Sequence, residues 1–560
     1  MRVSDYVAKF LKLKKVNKIF MLTGYGAMYL NDSIKKNNIK YFATRNEATA
    51  PIMAAAFSRV TGKIGVACVT AGPGATNAIP GLAEAYVDSS PVLIISGQVN
   101  TRHTTLNTKL AKIRTFGTAE INIIPIVKPL TKYCTIVLNP NHIKYVLQKA
   151  YYECLNGRPG PVWIDIPLDV QNARIDLKKL KTFYPSKKKL SYSKKKLNLI
   201  VNEINKCSKP LIICGQGVKI SKQYNSIKNN ISKRFNIPIM FTRAAQDLDS
   251  HKKKLILGQG GIKGTAYCKD LMNQSDLVLS FGCRMAPQFA GHDFEIFKNA
   301  KIVSVDIEKD ELEKKGVKHF IKENSDLTFF VPKLISYFNK NCKKNFRDWA
   351  RYCEVQKNKN IENIFYKRNP IDLYYFMNLL GKNSPKKSIL ITDAGSNYYI
   401  GGQVWKFENG QKEITSITNA AMGLSIPLAI GASVGSDPKV NIFAVTGDGS
   451  LELNIQELKT MSHYNLNVKL FVINNGGYVS MHNWADNYFK GRRVDNSKDT
   501  GEGTLNFKNV AKAFDLDYYK IYDYKKILKD LNVIKKNKKP MLIEVVTDSR
   551  QTIFDAFKDR

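Results

Sequence analysis

Two short runs in the last quarter of the chain carry side chains able to hold a hard cation. Gly447-Asp448-Gly449-Ser450 places a carboxylate inside a glycine turn, and Asn474-Asn475-Gly476-Gly477 places amide oxygens at a second turn. Magnesium takes carboxylate and amide oxygens together with substrate phosphates. Asp448, Asn475 and one backbone carbonyl therefore form a candidate Mg2+ site against a diphosphate. Gly-Asp-Gly alone is an ordinary tight turn; the Asn pair after the next strand makes it a ligand set. Far upstream, Glu47 follows a strand-like run at 41–44 and precedes a small-residue helix over 48–61. Its position admits two readings: a partly buried acid at the carboxyl edge of a sheet, or a carboxylate favoured by a helix dipole.

Both groups need elements to position them. Residues 440–446 are β-branched and aromatic and read as a buried strand, 451–459 have helical spacing, and 468–473 read as the next strand. Strand, turn, helix and strand make a βαβ unit, whose ligands belong at the carboxyl ends of its strands. The first third alternates in the same way, with strands at 18–22, 41–44, 65–70 and 91–99. In the middle, Gly215-Gln216-Gly217 after an apolar run is a weak dinucleotide signal, and Asp306 ends a run where a ribose-binding carboxylate would stand. The fold class is α/β, with three doubly wound parallel-sheet domains expected over 1–177, 190–340 and 365–560. The Lys-rich stretch 178–197 and the charged, aromatic stretch 340–368 read as linkers.

Composition narrows the function classes. A chain of 560 residues is too long for one core. Nine scattered cysteines without a Cys-x-x-Cys pair argue against a disulfide framework or zinc site and for a reducing cytoplasm. No signal peptide or membrane-spanning apolar run is visible. The net charge of +40 is mostly lysine spread along the chain. With no recognisable nucleic-acid-binding fold, it reads as a solvated surface that steers anionic substrates, so neither nucleic acid nor membrane is expected as a partner.

Four further runs carry a family resemblance: Ala71-Gly-Pro-Gly-Ala-Thr-Asn77, Ala85-Tyr-Val-Asp-Ser-Ser-Pro91, Ile95-Ser-Gly-Gln-Val99 and Arg158-Pro-Gly-Pro-Val-Trp-Ile-Asp-Ile-Pro167. With the Gly447–Asn475 motif, they make the chain resemble the thiamine-diphosphate-dependent decarboxylases and carboligases, and among them the acetolactate synthase large (catalytic) subunit. The resemblance covers nearly the whole chain. It implies thiamine diphosphate and Mg2+, with Asp448, Asn475 and the Gly477 backbone as metal ligands and Gly449 and Ser450 beside the diphosphate. It implies that Glu47 hydrogen-bonds the pyrimidine ring, that Met422 is the apolar wedge bending the cofactor, and that Ala420 offers its backbone oxygen to the pyrimidine amine. Ser396 and Asn397 stand where the family has a Gln-His pair near the diphosphate. Arg284 aligns with an arginine of the flavin and substrate region, which admits FAD as a further cofactor.

The departures concern substrate more than cofactor. Thr118 and Ala119 replace a Phe-Gln pair before Glu120, Leu168 replaces a lysine, and Lys263 replaces a flavin-pocket histidine, while Trp484 keeps the second-substrate tryptophan. The resemblance implies a transferase or lyase that decarboxylates pyruvate and transfers the two-carbon unit to a 2-oxo acid. Branched-chain amino acid synthesis would be its setting. The alternatives are a nucleotide-linked keto-sugar acceptor, a simple 2-oxo acid decarboxylase or lyase, and, against the retained Glu47, Asp448 and Asn475, a non-catalytic relative. It also implies a homodimer or homotetramer with the site between chains, compatible with a small regulatory subunit.

Overall fold

The computed structural model describes all residues except 111, 187–191, 266, 295, 360–364 and 555–560. Its eighteen named strands form three six-stranded sheets, every named pairing parallel. The first holds β1 (Lys18–Met21), β2 (Lys40–Ala43), β3 (Gly65–Val69), β4 (Val92–Gln98), β5 (Tyr133–Ile136) and β6 (Val162–Pro167), in the order β2-β1-β3-β4-β6-β5. The second holds β7 (Pro210–Cys214), β8 (Ile239–Phe241), β9 (Ile256–Gln259), β10 (Leu277–Phe281), β11 (Lys301–Asp306) and β12 (His319–Asn324). The third holds β13 (Ser388–Thr392), β14 (Lys412–Thr415), β15 (Asn441–Gly447), β16 (Val468–Asn474), β17 (Asp517–Ile521) and β18 (Met541–Val546), in the order β14-β13-β15-β16-β18-β17.

The α/β reading holds in each sheet. Strands such as β7, buried at every residue, are continuous apolar runs because helices cover both faces of a parallel sheet. The first and third sheets share one strand order. The second, read from β9 to β12, runs β9-β8-β7-β10-β11-β12, the 3-2-1-4-5-6 arrangement of dinucleotide-binding folds.

The first and third sheets join through one core. The helix Thr49–Thr61 follows β2, and the helix Ser425–Gly435 follows β14. Ala50, Ala54 and Phe57 of the first pack with Leu428, Ala429 and Ala432 of the second. Small residues let the backbones approach so closely that a Cβ on Gly431 would overlap the Met53 carbonyl. A fully buried leucine such as Leu428 contributes roughly 1.5–3 kcal/mol there. The second sheet is tied to the third by a buried Arg243–Glu413 ion pair, in which Gln246 Nε2 also donates to Glu413 at 2.6 Å.

Three sequence expectations change. The helix expected over 451–459 is broken into Asp448–Glu452 and Glu457–His463. The stretch 340–368 is not simply a linker: the helix Arg347–Lys359 buries Trp349 and Cys353 in the central core, and Trp349 Nε1 donates to the Pro210 carbonyl at 2.9 Å. The aromatic residues that suggested an irregular segment supply the packing. In the stretch 178–197, Lys194-Lys-Lys196 opens the helix Lys194–Lys206, capped by Ser193, while Lys187-Lys-Lys189 lies outside the described residues. Among the described residues, no helix is long and apolar enough to cross a membrane.

Candidate functional site

The carboxyl ends of β13, β15 and β16 open on a cavity of about 1210 Å³ that reaches across to the second sheet. Asp448 begins the turn after β15 and is nearly fully buried. Its Oδ1 accepts from the Gly449 N–H at 3.0 Å, and its Oδ2 accepts from the N–H groups of Asn475, Gly476 and Gly477 at 3.0, 2.8 and 3.1 Å. Four backbone donors thus fix the carboxylate and lock the two motifs together. Burial pushes its pKa upward against these hydrogen bonds. Asn475 and Gly477 line the same wall.

Glycine is required at two of these positions. A Cβ on Gly477, whose φ is +117°, would stand 2.7 Å from the Asn496 carbonyl, and one on Gly449 would enter the Tyr478 ring. Both would also strike Glu502, whose two carboxylate oxygens are buried without a hydrogen-bond partner among the described residues. Burial, then repulsion from Asp448, raises Glu502 to about 7. A buried carboxylate beside a second one, with no donor among the described residues, has the chemistry that a cation would satisfy. Among the described residues, no three His, Cys, Asp or Glu side chains group as a metal cluster; the donor set is mixed, as a hard oxygen-seeking cation accepts.

A hub that the sequence reading missed supports this wall. Asp393, fully buried at the end of β13, accepts from Ser450 Oγ at 2.7 Å, Thr446 Oγ1 at 2.9 Å, and Asn397 Nδ2 at 3.2 Å. Ser450 Oγ accepts in turn from the Gly423 N–H at 2.8 Å. The Ser450 proton and one of the two Asn397 Nδ2 protons are therefore engaged within the protein. Asn397 leaves its Oδ1 buried and without a hydrogen-bond partner among the described residues. Ser396 starts the helix Ser396–Val404 at the cavity wall.

Met422 is half-buried and lines the cavity instead of joining a packed core. Ala420 beside it has φ +47°, a left-handed conformation that costs an alanine roughly 1–2 kcal/mol. The loop is held from the first sheet's side. Glu84 Oε2 accepts from Ser416 Oγ at 3.0 Å and Asn419 Nδ2 at 3.2 Å, and Asp88 accepts from the N–H groups of Ile417 and Thr418. Burial and the neighbouring Asp88 raise Glu84 to about 7. Arg284 reaches the same loop, donating to Thr418 Oγ1 at 3.1 Å.

Glu47 stands apart. It is half-buried in the turn before the helix Thr49–Thr61, accepts from Asn77 Nδ2 at 3.2 Å, and is absent from the cavity wall, as is Gly449. Its turn is clasped by Glu457, whose Oε1 accepts from the Arg45 and Asn46 N–H groups and from Thr49 Oγ1. Trp484 and Tyr488, stacked at 4.9 Å and more than half exposed, form the open rim. Glu84, Asp88 and Glu457 went unread because each acts across a domain junction; Glu502 lies in a polar loop with no motif.

The central sheet's glycine turn has the N–H groups of both its glycines engaged within the protein. The Gly215 and Gly217 N–H groups donate to Phe281 and Gly282 carbonyls, and Gly217 packs against Gly282. These two glycine N–H groups are therefore already taken and are not offered to a diphosphate.

Three family descriptions match the chain in order: thiamine pyrophosphate enzyme, N-terminal TPP binding domain over 1–119; central domain over 197–326; and C-terminal TPP binding domain over 393–545. The acetolactate synthase large subunit of Porphyra purpurea is 30% identical over 525 residues, covering 90% of this chain and 84% of its own. That of Lactococcus lactis is 29% identical over 558 residues, covering 98% and 93%. A probable large subunit from Methanococcus aeolicus is 29% identical over 514 residues, covering 88% and 83%.

Proposed function

Because the chain belongs to the thiamine pyrophosphate enzymes, we propose that it is an acetolactate-synthase-like carboligase, decarboxylating pyruvate and passing the two-carbon unit to a 2-oxo acid. The observation that carries this reading is one cavity wall combining Asp448 and Asn475 with the Ala420–Met422 loop. Thiamine diphosphate, when bound, supplies the electron sink that lets a 2-oxo acid lose carbon dioxide and its remainder join a second carbonyl.

The chain's own residues do the rest. Asp448, Asn475 and the Gly477 carbonyl would hold Mg2+ against the diphosphate. Met422 would wedge the cofactor, and the Ala420 carbonyl would accept from its pyrimidine amine. Glu47 would hydrogen-bond the pyrimidine ring. Since Glu47 lies outside the cavity of its own chain, a second copy would deliver it, making the working unit at least a homodimer. Trp484 on the rim would border the acceptor. Leu168 is buried just after β6, so this chain lacks the resembling lysine's charge there, which supports an altered acceptor.

The deciding assay combines purified protein, thiamine diphosphate, Mg2+ and pyruvate. Carbon dioxide release with acetolactate, read as acetoin after acid treatment, is expected. Release that rises only with a nucleotide keto-sugar overturns the 2-oxo acid acceptor. No release with any 2-oxo acid overturns the enzyme reading. A colourless active protein excludes a bound flavin.

A further inference from the structure

Glu502 is the least satisfied carboxylate near the site. It is 7% exposed, and neither oxygen has a hydrogen-bond partner among the described residues. The charged groups acting on it are Asp448, Glu452 and Asp495, all acidic. It straddles the two turns that carry the candidate ligands: Oε1 lies over Gly449 and Oε2 over Gly477. Gly477 N–H donates to Asp448 and Gly449 N–H to the same carboxylate, so both turns are rigid where Glu502 meets them. Two buried carboxylates without a counter-charge repel each other, and burial removes the water that would screen them. A divalent cation between them relieves both. The glycines make the approach feasible, because any side chain at 449 or 477 would fill the space Glu502 occupies.

We propose that Glu502 is an additional carboxylate of the divalent-cation site, facing the ion beside Asp448, Asn475 and the Gly477 carbonyl. This rests on the cation reading of the Asp448 turn given above. It has a distinct consequence: with two carboxylates, an amide and a carbonyl available, the chain binds the bare cation before any diphosphate arrives. Charge count tunes the affinity of such oxygen sites.

The test uses the full chain, stripped with a chelator, and titrated with Mn2+ alone by electron paramagnetic resonance. Wild type is expected to bind Mn2+ without thiamine diphosphate, Glu502→Gln at least tenfold more weakly, and Asp448→Asn more weakly still. Thermal melting gives a second readout that a merely structural glutamate would not produce. Without metal, Glu502→Gln melts higher than wild type, because a buried unpaired charge is gone. With Mn2+, it gains less than wild type. Glu502→Asp, which keeps the charge on a shorter arm, retains part of the Mn2+-induced gain. Equal Mn2+ binding by wild type and Glu502→Gln, with Asp448→Asn impaired, overturns the role of Glu502 and leaves the cation site standing. Binding by wild type only when thiamine diphosphate is present does the same. Binding unaffected by Asp448→Asn overturns the cation reading itself.

Discussion

Glu47→Gln keeps the size of the side chain and its contact with Asn77 while removing the carboxylate. Turnover should fall by about 10²–10⁴, the usual worth of acid–base assistance, with thiamine diphosphate binding retained in a calorimetric titration. Unchanged turnover would end the assignment. Gly477→Ala acts on the backbone: φ +117° and the nearby Asn496 carbonyl oppose a methyl group. We expect a loss of roughly 1–3 kcal/mol in urea denaturation, the scale of a strained backbone position, together with weakened Mn2+ binding. At this scale Asp448 and Asn475 were legible because their ligand chemistry lies in contiguous motifs. Asp393 and Glu502 were not. One ends a strand like many others, and the other means something only through two glycines distant in sequence.

The helices Thr49–Thr61 and Ser425–Gly435 set the spacing between the loops that carry Glu47 and Met422. Each loop is clasped from the opposite sheet, by Glu457 and by Glu84 with Asp88. Glu84, raised to about 7 from 4.5, keeps its proton in the native state at pH values where the unfolded chain has released it. The stability this lends is complete below about pH 4.5 and is lost as pH rises through about 7. Glu84→Gln should therefore flatten the decline of the melting temperature between about pH 4.5 and 7, as followed by calorimetry. An unchanged slope would place the titration elsewhere. The central strands were legible as apolar runs and the small-residue helix as a packing surface, whereas half-buried edge strands such as β5 and β17 were not, because they carry no continuous apolar run. The break within 451–459 was not, since helical spacing survives across a short irregular turn, and the helix Arg347–Lys359 was hidden by its charged outer face.

For the whole molecule, the cavity wall and Glu47 lie on different parts of one chain, and a homodimer is the arrangement that would unite them. Glu47→Gln and Asp448→Asn should each be inactive alone. Co-expressed, they should recover about a quarter of wild-type activity, because random pairing of a two-fold dimer leaves one site intact in half the dimers. No recovery would place each site within a single chain. The α/β class followed from the sequence because parallel sheets write themselves as buried runs. How the three sheets sit together did not, because that rests on Gly431 against Met53, Arg243 against Glu413 and the two carboxylate clasps, pairings that no local pattern announces.

The identical strand order of the first and third sheets has one more implication. Their crossing helices occupy the same station, each after its sheet's second strand, and Glu84 and Glu457 both sit on the second helix after the third strand, Ile79–Val87 and Glu457–His463. Each glutamate reaches over to the other half's loop ahead of the crossing helix. The chain thus repeats one plan in its first and third sheets, each half holding the other's loop by a buried glutamate. One half carries Glu47 in that loop; the other carries Met422, with the Asp448 turn after its next strand.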